Sequence, residues 1–227
     1  MSEASVPFLF DGPDDAVMTL VLAHGAGAPM DSPFLNIVAS GLAAAGIRVV
    51  RFEFPYMRAR REGGSGRAPD REPVLRKAWH DALAALRAHD GRERAVAIGG
   101  KSLGGRMASL VADEVGPAAL VCLGYPFHPP DKPERLRTAH LEHLQTETLI
   151  VQGTRDPFGT PDDVAAYRLS PHIRIVWMED GDHSWKPRKS SGRTEKQNLD
   201  EGVARVVEFL RQETGSSVNR SATRAAR

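Results

Sequence analysis

Short apolar runs recur along the chain at 17–23, 47–52, 95–98, 119–123, 148–152 and 173–178. They are rich in Val, Ile and Leu and mostly lack alternation between apolar and polar positions. A strand covered on both faces has no solvent side to fill with polar residues, so the pattern predicts strands of a parallel sheet. Between the runs, apolar positions recur at helical spacing. Ser32 and Pro33 read as the cap and first residue of a helix, Phe34, Val38, Leu42 and Ala45 as its stripe, and Gly46 as its stop. Leu75, Trp79, Leu83 and Leu86 form a second stripe, and Leu103, Met107, Leu110 and Val111 a third. Leu199, Val203, Val206, Val207 and Leu210 form the last. Strands alternating with helices predict an α/β fold, with a mainly parallel central sheet and helices on both faces.

Three stretches fall outside this alternation. Residues 8–15 read as a short strand followed by a Gly12-Pro13 turn. Residues 58–72 are rich in Arg, Gly and Pro and are expected to form a long loop. Residues 213–227 are small and polar and read as a disordered tail. No repeat is visible, so a single domain is expected over residues 1–212.

Composition narrows the function classes. The chain has 227 residues, of which 41% are hydrophobic, enough for one sizeable core. Lys and Arg number 30 against 29 for Asp and Glu, a net charge of +1, which argues against a nucleic-acid partner. Cys122 is the single cysteine, so no intrachain disulfide can form and a reducing compartment is expected. The first residues lack the basic start of a secretory signal. No apolar run approaches the ~20 residues of a membrane span. A soluble, cytoplasmic protein without a membrane partner is expected.

Gly100-Lys101-Ser102-Leu103-Gly104 fits the pattern G-x-S-x-G. Five-residue matches arise by chance, but this one sits between an expected strand and an expected helix. That setting is what a nucleophile elbow needs, since the serine occupies a sharp strand-to-helix turn and its neighbours two residues away must be small. A serine nucleophile needs a base, and the base needs an orienting acid, here in the chain order Ser, acid, His. Asp156 follows the run 148–152, and His183 follows the run 173–178. All three would lie beyond the C-terminal ends of strands, where open α/β sheets gather their ligands. Asp180 and Asp182 are rival acids that read better as shaping the histidine's own loop. The backbone N–H of Leu103 is the first expected oxyanion donor. The second should come from His24-Gly25-Ala26-Gly27-Ala28, with Ala26 preferred and Gly25 or Gly27 as alternatives. No His, Cys and carboxylate cluster has metal spacing and no dinucleotide motif follows a strand, so neither a metal nor an organic cofactor is expected.

Several longer stretches carry a resemblance. They are His24-Gly25-Ala26-Gly27, residues 52–56, 99–106, 124–130 and 152–156, and Gly181-Asp182-His183. Together they resemble a bacterial family of small lidless α/β-hydrolases. Its animal relatives include a hydrolase-like subunit of the NSL histone-acetyltransferase complex and a testis-expressed protein. Dienelactone hydrolases look like more distant kin, but with a cysteine where Ser102 stands. The resemblance spans about residues 15–212. It implies the α/β-hydrolase fold and a triad of Ser102, Asp156 and His183, but no substrate.

Only residues 124–147 separate two runs between which a cap domain usually enters, so no large cap is expected. An open site suits a small-molecule substrate, a small or medium ester. Lys101, Arg155, Lys186, Arg188 and Lys189 fall near the same edge, with Arg58, Arg60, Arg61 and Arg67 close in sequence to it. One reading is that this edge binds an anionic substrate group. The other is ordinary solvated charge, with Glu53, Glu62, Asp70, Glu72, Glu179 and Asp180 as partners. Tyr56, Tyr125, Phe127, Phe158 and Trp185 could line a pocket or simply pack. The expected activity is carboxylester hydrolysis through an acyl-enzyme. The alternatives are a non-catalytic hydrolase-like scaffold, and an acyltransferase or thioesterase.

Overall fold

A computed structural model describes residues 6–64, 68–91 and 94–225. Seven strands form one sheet: β1 (Phe8–Asp11), β2 (Met18–Ala23), β3 (Arg48–Phe52), β4 (Ala95–Lys101), β5 (Leu120–Leu123), β6 (Thr148–Gly153) and β7 (Ile173–Met178). Their order is β1-β3-β2-β4-β5-β6-β7. β1 pairs antiparallel with β3, and every other neighbour pair is parallel. β2, β3, β5 and β6 are buried along their whole length, which is why their sequences show no alternation. β1 and β7 close the two edges and are only partly covered.

Each strand feeds two cores. In β2, Val21 and Ala23 face the core under α3 (Glu72–Asp90) and α4 (Leu103–Val115), with Trp79, Leu83, Met107 and Val111. Leu20 and Leu22 face the opposite core, under α1 (Pro33–Ala44) and α6 (Glu195–Ala225), with Val38, Leu42, Val206 and Leu210. Each fully buried aliphatic side chain stabilises the fold by about 1.5–3 kcal/mol. All four sequence stripes therefore lie against the sheet.

Two expectations are corrected. Residues 58–72 are not one loop, because α2 (Pro55–Arg61) places Arg58, Arg60 and Arg61 on a helix. Pro55 presets the first helical φ, Tyr56 and Met57 are buried, and the Tyr56 N–H is capped by the Asp70 carboxylate at 2.9 Å. That cap comes from a distant loop residue, which local spacing does not reveal. At the C-terminus, α6 continues to Ala225 where an irregular tail from 213 was expected. Arg67, one of the candidate cations, lies outside the described residues. A short α5 (Pro161–Ala165) follows β6. No helix among the described residues is long and apolar enough to cross a membrane.

Candidate active site

β4 runs through Lys101 and α4 begins at Leu103, so Ser102 alone makes the turn between them. Its φ of 51° and ψ of −111° are a strained conformation for a residue with a side chain. The Ser102 N–H donates to the Leu123 carbonyl at 3.2 Å, and its carbonyl accepts from the Arg106 N–H at 2.9 Å. The turn thus continues the bonding to β5 on one side and opens the helix bonding of α4 on the other. The flanking glycines are required by space. A Cβ on Gly100 would lie 2.4 Å from the Ala23 carbonyl oxygen, and one on Gly104 2.3 Å from the same atom.

Asp156 lies just beyond β6 and is fully buried. Its carboxylate accepts from Gln152 Nε2 at 2.9 Å, the Phe158 N–H at 2.9 Å and His183 Nδ1 at 2.7 Å. A carboxylate held by three donors fixes His183 as the Nδ1–H tautomer and leaves Nε2 free to accept a proton. Burial lowers the His183 pKa and the Lys101 charge adds to this, while the bond to Asp156 opposes both. The Phe158 ring stands 4.3 Å from the imidazole, centroid to centroid. Gly124, next to the residue that accepts from Ser102, lies under the imidazole: a Cβ there would be 3.3 Å from His183 Cε1. The imidazole thus stands over Gly124, one residue beyond the Leu123 carbonyl that holds the Ser102 N–H. Among the described residues no hydrogen bond joins the Ser102 hydroxyl to His183. Such bonds are often loose before substrate arrives.

The loop after β2 approaches from the other side. A Cβ on Gly25 would lie 3.8 Å from Ser102 Cβ. The Gly25 carbonyl accepts from His24 Nδ1 at 2.7 Å and from the Tyr56 hydroxyl at 3.2 Å. His24 Nε2 in turn accepts from the Phe54 N–H at 3.1 Å, which requires neutral His24, and burial lowers its pKa accordingly. No peptide among the described residues is cis, so the Ala26 N–H points opposite to the pinned Gly25 carbonyl, away from Tyr56. No hydrogen bond among the described residues occupies the Ala26 or Leu103 amide.

The candidate substrate contacts separate. Phe158 is half-buried beside His183. Tyr125 and Phe127 are fully buried in the α3–α4 core, with the Tyr125 hydroxyl donating to the Arg137 carbonyl at 2.9 Å, so neither offers surface to a ligand. Tyr56 is buried as well, and its hydroxyl serves the loop after β2. Trp185 is buried against Phe34. Lys101 does not project outward: its Nζ donates to the His183 carbonyl at 2.6 Å. Arg155 and Arg188 bind Asp180, Lys186 lies 3.7 Å from Glu195, and Arg61 binds Glu53 and Asp31. Asp182 accepts from the Ser184 and Lys186 N–H groups, so both rival acids shape the histidine loop.

Two supporting residues were not singled out from sequence, and a third, His24, was named only as part of its loop. Gln152 aligns Asp156 and also accepts from the Tyr125 N–H at 2.7 Å. Asn198 on α6 donates to the Glu179 and Trp185 carbonyls, bracketing the His183 loop. His24 joins the loops after β2 and β3. Only the Gln152-Gly153-Thr154-Arg155-Asp156 stretch hinted at the first. Among the described residues, no group of three or more His, Cys, Asp or Glu side chains is placed to hold a metal ion.

A seven-stranded sheet with a single antiparallel edge, a strand-to-helix serine turn and a buried acid–histidine pair defines an α/β-hydrolase. Accordingly, the chain belongs to the alpha/beta hydrolase domain family, whose pattern matches residues 16–211. It is similar in fold to a dienelactone hydrolase from Anabaena variabilis, with a TM-score of 0.71 and 21% identity over 93% of both chains. It is also similar to an α/β serine hydrolase homologue from Coxiella burnetii, with a TM-score of 0.68 and 19% identity over 89% of this chain and 90% of that one. A serine hydrolase without a lid from Xanthomonas campestris gives 0.66 and 21% over 87% and 88%.

Proposed function

We propose that the protein is a serine hydrolase that cleaves a small or medium carboxylic ester through an acyl-enzyme. The observation that carries this reading is the strained Ser102 turn beside the buried Asp156–His183 pair. His183 Nε2 takes the hydroxyl proton as Ser102 Oγ attacks the ester carbonyl. The oxyanion sits between the Leu103 and Ala26 amides. Nε2 then gives its proton to the leaving alkoxide, which departs as the alcohol and leaves Ser102 acylated. Water, deprotonated by the same nitrogen, attacks the acyl carbon, and the Ser102 oxygen recovers its proton as the acid leaves. Asp156 holds the tautomer and stabilises the imidazolium throughout.

The short connection from β5 to β6 supports an open site. The pairing of Arg61, Arg155, Arg188 and Lys186 with carboxylates supports an uncharged acyl group over an anionic one. The single buried Cys122 supports a reducing, cytoplasmic setting. Neutral and anionic nitrophenyl esters of graded acyl length test this. Turnover of short neutral esters, lost in Ser102→Ala, is expected. Preference for the anionic series would overturn the substrate class. Absence of any ester turnover in a protein that still acylates would point to a transferase.

A further inference from the structure

We propose that Lys101 is a positioning residue: its buried ammonium straps the His183 loop to the nucleophile elbow and holds a positive charge beside the imidazole. This rests on the reading of Ser102 and His183 as nucleophile and base, and assigns Lys101 no contact with substrate. Lysine is seldom buried without a carboxylate partner, because stripping water from its charge is costly. Here Lys101 is only 9% exposed. Its Nζ donates to the His183 carbonyl at 2.6 Å and lies 5.4 Å from the Phe34 ring centroid. No salt bridge among the described residues includes it.

The geometry is demanding. Lys101 ends β4, while His183 follows β7, with β5 and β6 between them in the sheet. The side chain spans that gap across Gly124, where a Cβ would stand 2.8 Å from Nζ and 2.9 Å from the His183 carbonyl oxygen. Gly124, at φ 72°, therefore leaves the path open. Because Lys101 directly precedes Ser102, one side chain links the two catalytic loops. An apolar residue of the same length could fill the space but would leave the His183 carbonyl without this donor and the imidazole without a neighbouring charge.

The groups facing the ammonium are His183, Asp156 and Asp182. Burial pulls the Lys101 pKa down to about 8, with the two carboxylates opposing it. Lys101 is thus charged over the range in which His183 titrates. Its charge disfavours imidazolium and keeps the base available to lower pH. Removing it must move His183 protonation upward.

The test compares wild type with Lys101→Met and Lys101→Arg, each shown to be folded by circular dichroism. The His183 ring proton is titrated by NMR, and the fluorophosphonate labelling rate is followed against pH. In Lys101→Met, the His183 midpoint and the acid limb of labelling are expected at higher pH. The plateau rate should fall about tenfold to a hundredfold as the loop loses its strap. Lys101→Arg should keep the midpoint near wild type. Unmoved midpoints in folded Lys101→Met would overturn the proposal, and so would an equal upward shift in Lys101→Arg, which would trace the change to lost burial rather than lost charge. The NMR arm needs no turnover. An unlabelled wild type whose His183 still shifts in Lys101→Met would sink the hydrolase reading and leave the strap standing.

Discussion

Asp156 shows how a single side chain is defined by its donors. Gln152, Phe158 and His183 take up its two oxygens, and no solvent reaches it. Asp156→Asn keeps the size of the group but invites the opposite His183 tautomer. Its kcat/KM is expected to fall by about 10⁴-fold with little change in melting temperature. Lys101 carries the opposite balance. Burial takes it from 10.5 to about 8, a displacement on the order of 3–4 kcal/mol of lost stability at neutral pH. At pH 7 it is protonated in both folded and unfolded chains, so the full cost is present. Above about 8 the folded chain releases the proton first, and the cost fades toward pH 10.5. Lys101→Met should therefore melt higher than wild type at pH 7, with the advantage shrinking in alkali. Ser102, Asp156 and His183 could be picked out as candidates because their order and their places after strands are linear features. Tyr125 and Phe127 were not, because an aromatic residue after a strand end gives no sign of which side of the sheet it turns to.

Among the elements, the elbow depends most on what is absent. Gly104 packs against the end of β2, where a methyl group would sit 2.3 Å from the Ala23 carbonyl oxygen and 2.7 Å from that of His24. Gly104→Ala must push α4 away from the sheet. Thermal melts should show a loss of about 2–4 kcal/mol, and labelling at Ser102 should collapse with it. The parallel strands were readable from unbroken apolar runs, and the helices from their stripes. α2 was not readable, since seven residues crowded with arginine show no stripe, and its cap, Asp70, lies beyond the helix in sequence. The candidate oxyanion loop was proposed from its glycines, but its anchors, His24 Nδ1 and the Tyr56 hydroxyl, become visible only when the loops after β2 and β3 meet.

Across the whole molecule, the chemistry and a large electrostatic anchor occupy opposite ends of the sheet. The candidate catalytic groups follow the C-terminal ends of β4, β6 and β7. At the N-terminal end of β3, Arg48 forms a two-pronged bond to Asp90 at 2.8 Å on each arm, both side chains being buried. Asp90→Ala would leave that guanidinium only the Asp14 carboxylate at 3.8 Å and should cost about 3–5 kcal/mol of stability. The folded fraction should keep its kcat/KM, because no catalytic group touches the pair.

The central claim is that Ser102 is a nucleophile activated by His183. Intact-mass measurement after exposure to a fluorophosphonate tests it most directly. One phosphonyl adduct, mapped to Ser102, is predicted for the wild type, with none on Ser102→Ala and strongly slowed addition on His183→Ala. A folded wild-type protein that takes up no adduct, or takes it up equally after Ser102→Ala, would contradict it.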